Sequence, residues 1–125
     1  MIRVWLFIAG FGGAVSVIAG AAAAHLGDDP VTATLLRNGA LYGLIHAATL
    51  LAVIAFSQGR EPRRGAAFIA GCCFSAGIVL FSFAQFAHVL TGIRQFAWMV
   101  PFGGTAFILG WLATLVAAIV SRPAD

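Results

Sequence analysis

Among the residues of this chain that could do chemistry, His46 stands first, because it lies inside a long apolar run. Asn38 and Tyr42 precede it at steps of four, so the three share one slowly turning helical face. An imidazole can donate, accept or carry a proton near neutral pH, and an ionisable group within lipid is a candidate for proton or ligand handling. The structural alternative is a neutral ring bonded to Tyr42 or to a serine of a neighbouring helix, and this is the commoner fate of such residues.

Ser75, Ser82, Gln85 and His88 follow one another at spacings of seven, three and three, which describes a second polar face. Two polar faces that meet inside a bundle either bond to each other or line a narrow polar passage. For the second case the candidate residues are Asn38, Tyr42, His46, Ser82 and Gln85. His25 and His88 sit in matching Ala-His-aliphatic triplets, and on parallel helices they would share one membrane depth with Asp28 and Asp29 nearby. Imidazole and carboxylate suit zinc or copper, so His25, His88 and Asp28 are the candidate metal ligands. No His-x-x-x-His spacing presets a metal geometry, and helix-end histidines at a membrane interface are the expected reading, with no resident metal.

Nothing in the chain assembles an enzyme. The carboxylates Asp28, Asp29, Glu61 and Asp125 fall in loops or the tail, and no nucleophile, base and acid share a spacing. Gly10, Gly12 and Gly13 lie within an apolar segment and are no nucleotide fingerprint. Cys72 and Cys73 are adjacent, which rarely permits a mutual disulfide, and they form no C-x-x-C motif. A non-catalytic protein without a cofactor is expected.

The elements that position these residues follow from composition. The chain has 125 residues, 62% hydrophobic and 9% charged, against roughly 25% charged in a soluble domain. No polar shell can cover such a core, so its solvent is lipid. A bilayer core of about 30 Å takes roughly 20 helical residues. Four apolar stretches are long enough, at about 4–26, 35–57, 65–90 and 98–120, and they predict an all-α membrane domain, a compact four-helix bundle of two hairpins with short loops. The first stretch also imitates a signal peptide, but its apolar run exceeds the usual 7–15 residues, so a retained span is expected. Pro101 is expected near the first turn of the fourth helix, where a missing amide donor costs nothing.

The basic residues are seven arginines without a lysine. Arg3, Arg60, Arg63, Arg64 and Arg122 fall at one end of the spans and Arg37 and Arg94 at the other, which predicts both termini in the cytoplasm. This is an orientation pattern and not a nucleic-acid footprint. Helices in lipid associate through small residues and polar pairing. Each span carries small residues four apart: Gly12, Ser16, Gly20 and Ala24; Gly39, Gly43 and Ala47; Ala67, Gly71 and Ser75; Ala106, Gly110, Thr114 and Ala118. Gly103 and Gly104 add to the fourth. These are the expected packing positions.

Several runs resemble the YgdD/YwdK-type family of small inner-membrane proteins, a domain of unknown function. They are Gly20-Ala21-Ala22-Ala23-Ala24-His25, then Tyr42 and His46, then Gly77-Ile78-Val79-Leu80-Phe81-Ser82, and finally Pro101-Phe102-Gly103-Gly104 followed by Phe107 and Gly110-Trp111. The resemblance implies the same four-span fold and residence in a bacterial inner membrane. It departs at His25-Leu26-Gly27, where the family has His-Gly-Leu, and at Phe83-Ala84-Gln85-Phe86, where a family tyrosine is missing. It implies no reaction or ligand. The expected function is therefore that of a packing, scaffold or accessory subunit, in contact with the bilayer and with other subunits or its own copies. A small permease or proton-conducting protein built on the face around His46 is the alternative, and lipid or hydrophobic-ligand binding is the third.

Overall fold

The computed structural model describes residues 1–25, 29–58 and 63–120, with Arg63 by its backbone alone. Five α-helices follow in order: α1 (Ile2–His25), α2 (Pro30–Ser57), α3 (Arg63–Gly77), α4 (Ala84–Thr91) and α5 (Gln95–Val120). A π-helical segment, Ile78–Phe83, joins α3 to α4 without a break, so the chain has four membrane spans. The described residues include no strand.

Two boundaries differ from the sequence expectation. The second helix begins at Pro30, because Asp29 caps it: the carboxylate accepts from the amides of Val31 (3.3 Å) and Thr32 (2.9 Å) and from the Thr32 hydroxyl (2.6 Å). Proline at the first helical position has no amide to waste. The Thr32 hydroxyl, followed by the two amides, holds the Asp29 carboxyl below its usual range. The fourth helix begins at Gln95, which places Pro101 in its interior and not in its first turn. Lacking an amide hydrogen, Pro101 leaves the Ala97 carbonyl without its helical donor. The connection between the last two spans is tight. Gly92 takes a left-handed φ of 70°, its amide donates to the His88 carbonyl at 2.8 Å, and α5 starts three residues later.

The middle of the bundle is the pair formed by α2 and the third span. α1 packs along α2, and α5 packs along the third span, so the first and last helices lie on opposite flanks and turn most of their surface to lipid. The small-residue ladders face these contacts. Gly12 meets Ile78, Gly20 meets Ala40, Gly39 receives the Phe86 ring, Gly71 receives Trp5, Gly77 receives Phe107 and Gly110 receives Phe74. Gly103 does more, since it lies directly against the backbone of Leu80 and Phe81 in the π segment. Gly104 is in ordinary contact with Phe81. Most of the ladders are thus consumed inside the chain, because a ring can seat on a helix only where no Cβ stands in the way.

Candidate functional site

α2 and α5 face each other across the third span without close backbone packing, and aromatic side chains bridge them. His46 is the centre of that bridge and is buried. Its ring stacks on Phe107, with centroids 3.6 Å apart and planes 11° from parallel. Phe74 packs at 5.6 Å and Trp111 stands edge-on at 6.1 Å. Tyr42, one turn before His46, lies nearly parallel to the rings of His46 and Phe107, at 6.1 and 6.4 Å, and touches Phe81 at 5.0 Å.

Both imidazole nitrogens are engaged. The Trp111 indole Nε1 donates to His46 Nε2 at 3.1 Å. An indole nitrogen can only donate, so Nε2 must be the bare, accepting nitrogen, and the ring proton is on Nδ1. Nδ1 then donates to the Tyr42 carbonyl at 2.7 Å. This carbonyl lies one helical turn back on the same helix, so the bond also locks the ring's orientation. A proton could enter only by displacing the indole, because two donors would otherwise meet nose to nose. The arrangement is a neutral, saturated hub that ties α2 to α5.

A second polar feature crosses the bundle near its middle. Ser16 of α1 and Ser82 of the π segment are fully buried, and both hydroxyls converge on Gly43 of α2. A Cβ on Gly43 would overlap Ser16 Oγ and lie 2.9 Å from Ser82 Oγ. Neither hydroxyl has a hydrogen-bond partner, nor has that of Ser75. Gly43 instead turns its Cα hydrogens toward the oxygens, a weak but recurrent contact between helices. This seam separates two apolar clusters. One holds Trp5, Ala9, Ala47, Leu50, Phe74, Ile78 and Phe107, and the other holds Ala19, Ala23, Leu36, Ala40 and Phe86.

The five residues proposed to line a polar passage do not form one continuous lining. His46, Ser82 and Gln85 are buried, whereas Asn38 and Tyr42 are exposed, because the α2 face that carries them turns outward toward its start. The metal candidates are also apart in role. His25 is exposed at the end of α1, His88 Nδ1 donates to the Ile93 carbonyl at 3.0 Å, and Asp28 lies outside the described residues, as do Arg60, Glu61, Arg122 and Asp125. Among the described residues no three of His, Cys, Asp and Glu come together. Residue types at helical spacing did not reveal Trp111, Phe107 and Phe74 as the partners of His46. The signals present in the sequence were Gly77 and Gly110, small residues that each mark where a ring must seat.

One apolar cavity of about 130 Å³ opens beside the bridge, where α2, α3 and α5 diverge, with Val53, Phe56, Ala70, Thr114 and Ala118 among its walls. Its one hydroxyl, on Thr114, donates to the Gly110 carbonyl at 2.9 Å.

Comparison with known proteins adds a family without a reaction. Residues 19–104 match the family model described as "Protein of unknown function (DUF423)". The chain is 31% identical over 120 residues to the UPF0382 membrane protein YwdK of Bacillus subtilis, covering 94% of this chain and 97% of that protein. It is 31% identical over 121 residues to the UPF0382 inner membrane protein YgdD of Escherichia coli K12, covering 94% and 90%. A UPF0382 membrane protein of Haemophilus influenzae is 29% identical over 121 residues, covering 94% and 95%. No solved structure matches the chain significantly.

Proposed function

We propose that this chain, which belongs to the DUF423 family and crosses the bacterial inner membrane four times, is a non-catalytic accessory or scaffold component that works through its outer surface. The observation that carries this reading is the saturation of His46. Among the described residues, His46 is the one histidine or charged residue that is buried, and it is spent on holding α2 to α5, so it is not free to move a proton or seat a solute. The unpaired hydroxyls of Ser16, Ser75 and Ser82 are enclosed in the bundle, and one further unpaired group points outward. The Tyr42 ring is 44% exposed, its hydroxyl has no hydrogen-bond partner among the described residues, and its inner side packs on Phe81 and Phe107. A phenol in hydrocarbon gains from a polar group supplied by a neighbour.

Purification in mild detergent is expected to bring down a protein partner or a second copy, and Tyr42→Phe is expected to reduce that recovery while leaving the fold's melting unchanged. A strictly monomeric particle with nothing bound would refute the reading. Hydrophobic-ligand binding is the second reading, favoured by the apolar cavity between α2, α3 and α5, whose size suits a short apolar segment or a benzene-sized ring.

We also place both termini in the cytoplasm, because Arg3 and Arg64 share one end of the bundle and Arg94 lies at the other. In a chain with Cys72 and Cys73 replaced by Ala, an impermeant thiol reagent applied to intact spheroplasts should label Ile93→Cys and spare Gln58→Cys. The opposite pattern would invert the topology.

A further inference from the structure

We propose that the end of the bundle where α1 and α3 begin is a binding site for one anionic phospholipid, with the phosphate held between Arg3 and Arg64. A cavity of about 530 Å³ opens there, walled by Arg3, Trp5, Ser57, Arg64 and Phe68. It is distinct from the His46 bridge and does not depend on the accessory reading.

Three independent features converge on it. The first is charge: two guanidinium groups line one cavity, and neither forms an ion pair among the described residues. Guanidinium offers a planar fork that matches two phosphate oxygens at once. The second is backbone polarity. α1 starts at Ile2 and α3 at Arg63, so two helix N-termini, the positive ends of their dipoles, lie at this end of the bundle with Arg3 and Arg64. The Ser57 hydroxyl, at the end of α2, is already bonded to the Ile54 carbonyl at 2.7 Å and brings no anionic group. The third is the gradient into the membrane. Trp5 and Phe68 lie about one turn or less inward of the arginines, with ring centroids 5.6 Å apart; Phe68 is half-exposed and Trp5 is buried behind it.

A cationic rim above an aromatic wall at the membrane boundary has the anatomy of a phospholipid, phosphate outward and acyl chain inward. A free phosphate would use the rim and leave the wall unoccupied. The site therefore commits to the lipid.

The test uses the purified full chain in detergent. Phosphatidylglycerol is expected to remain bound in native mass spectrometry and to raise the melting temperature, while phosphatidylcholine does neither. Arg3→Gln and Arg64→Gln should each weaken phosphatidylglycerol retention about tenfold or more, the effect of losing a charge-assisted pair of bonds. Arg94→Gln, at the other end of the bundle, should leave it unchanged. Equal retention of both lipids, or of phosphatidylglycerol by the Arg3→Gln/Arg64→Gln chain, would overturn the proposal. Inorganic phosphate giving the same thermal shift would overturn it in favour of a small-anion site. Because the arginine variants could fail to fold, a salt titration of the unmodified chain supplies a second criterion. Retention should fall as salt rises, and salt-independent retention would also overturn the site.

Discussion

Gly103→Ala is expected to be among the most damaging single-methyl additions this protein can receive. The added Cβ would stand 2.6 Å from the Leu80 carbonyl carbon and 2.8 Å from the Phe81 Cα, and closer still to the Phe81 amide nitrogen. These are backbone atoms of the π segment, and unlike a ring edge they cannot swing aside. α5 would have to move outward, and Phe107 and Trp111 would move with it, away from His46. Overpacking of this kind typically destabilises by about 1–3 kcal/mol, and the backbone contact puts Gly103→Ala at the upper end. The comparison that makes the test sharp is Gly104→Ala, one residue on, where the nearest atom is 3.8 Å away on the Phe81 ring. There, alanine should be neutral or slightly stabilising, since it is a better helix former than glycine. Melting of the two variants in the same detergent decides the matter. If they melt together, α5 does not approach the third span as closely as described.

The second large effect concerns the polar bridge between α2 and α5. Trp111→Phe keeps most of the ring contacts but removes the donor to His46 Nε2, leaving a buried acceptor unpaired. Stranding such a group costs about 1–3 kcal/mol in general, and hydrogen bonds between membrane helices average lower, with a maximum near 1.7 kcal/mol. A loss of about 1–2 kcal/mol is therefore expected from the single variant. His46→Phe/Trp111→Phe should lose less than the sum of its two single variants, because the pair of changes leaves no orphan acceptor and keeps the stack on Phe107. Simple additivity would mean that the indole and imidazole do not interact. In His46→Phe, where Trp111 is kept, tryptophan fluorescence offers an independent readout, since that variant removes the Trp111 hydrogen bond and changes the surroundings of that indole among Trp5, Trp98 and Trp111.

The π segment links these two results. Ile78–Phe83 supplies the backbone that Gly103 touches, the Phe81 ring that meets Tyr42 and Phe107, and the Ser82 hydroxyl that faces Gly43. A π turn is wider than an α turn and rotates the residues after it, and such turns recur where a helix is shaped for a particular contact. Here it lets one span present both a bare backbone strip to α5 and a buried hydroxyl to α1 and α2.

The four spans were legible in the sequence because apolar length is a local property: about 20 uncharged residues suffice, wherever the chain goes next. The placement in a membrane follows by the same route, and so do the small residues on every helix, although their ladders did not say whether they would face a sister helix or another protein. α2 starts five residues before the apolar stretch at about 35, because Asp29 and Pro30 begin the helix by capping, a signal that apolar length does not carry. Pro101 falls in the helix interior and not in the first turn because α5 extends beyond its apolar core to Gln95.

The identity of the buried polar residues divides in the same way. That His46 is the exceptional side chain could be read from its position in an apolar run. That it is tied off by Trp111, sixty-five residues away, could not, because helical spacing relates residues within one helix and says nothing about which helix stands opposite. The same limit separates Tyr42 and Asn38, which turn outward, from His46 on what seemed a single face. The chain's local chemistry thus determined four helices, their lipid environment and the candidates for a polar interior. Only the tertiary packing, through the close approach at Gly103 and the rotation imposed by the π segment, decided which of those candidates meet and closed His46 into a structural hub.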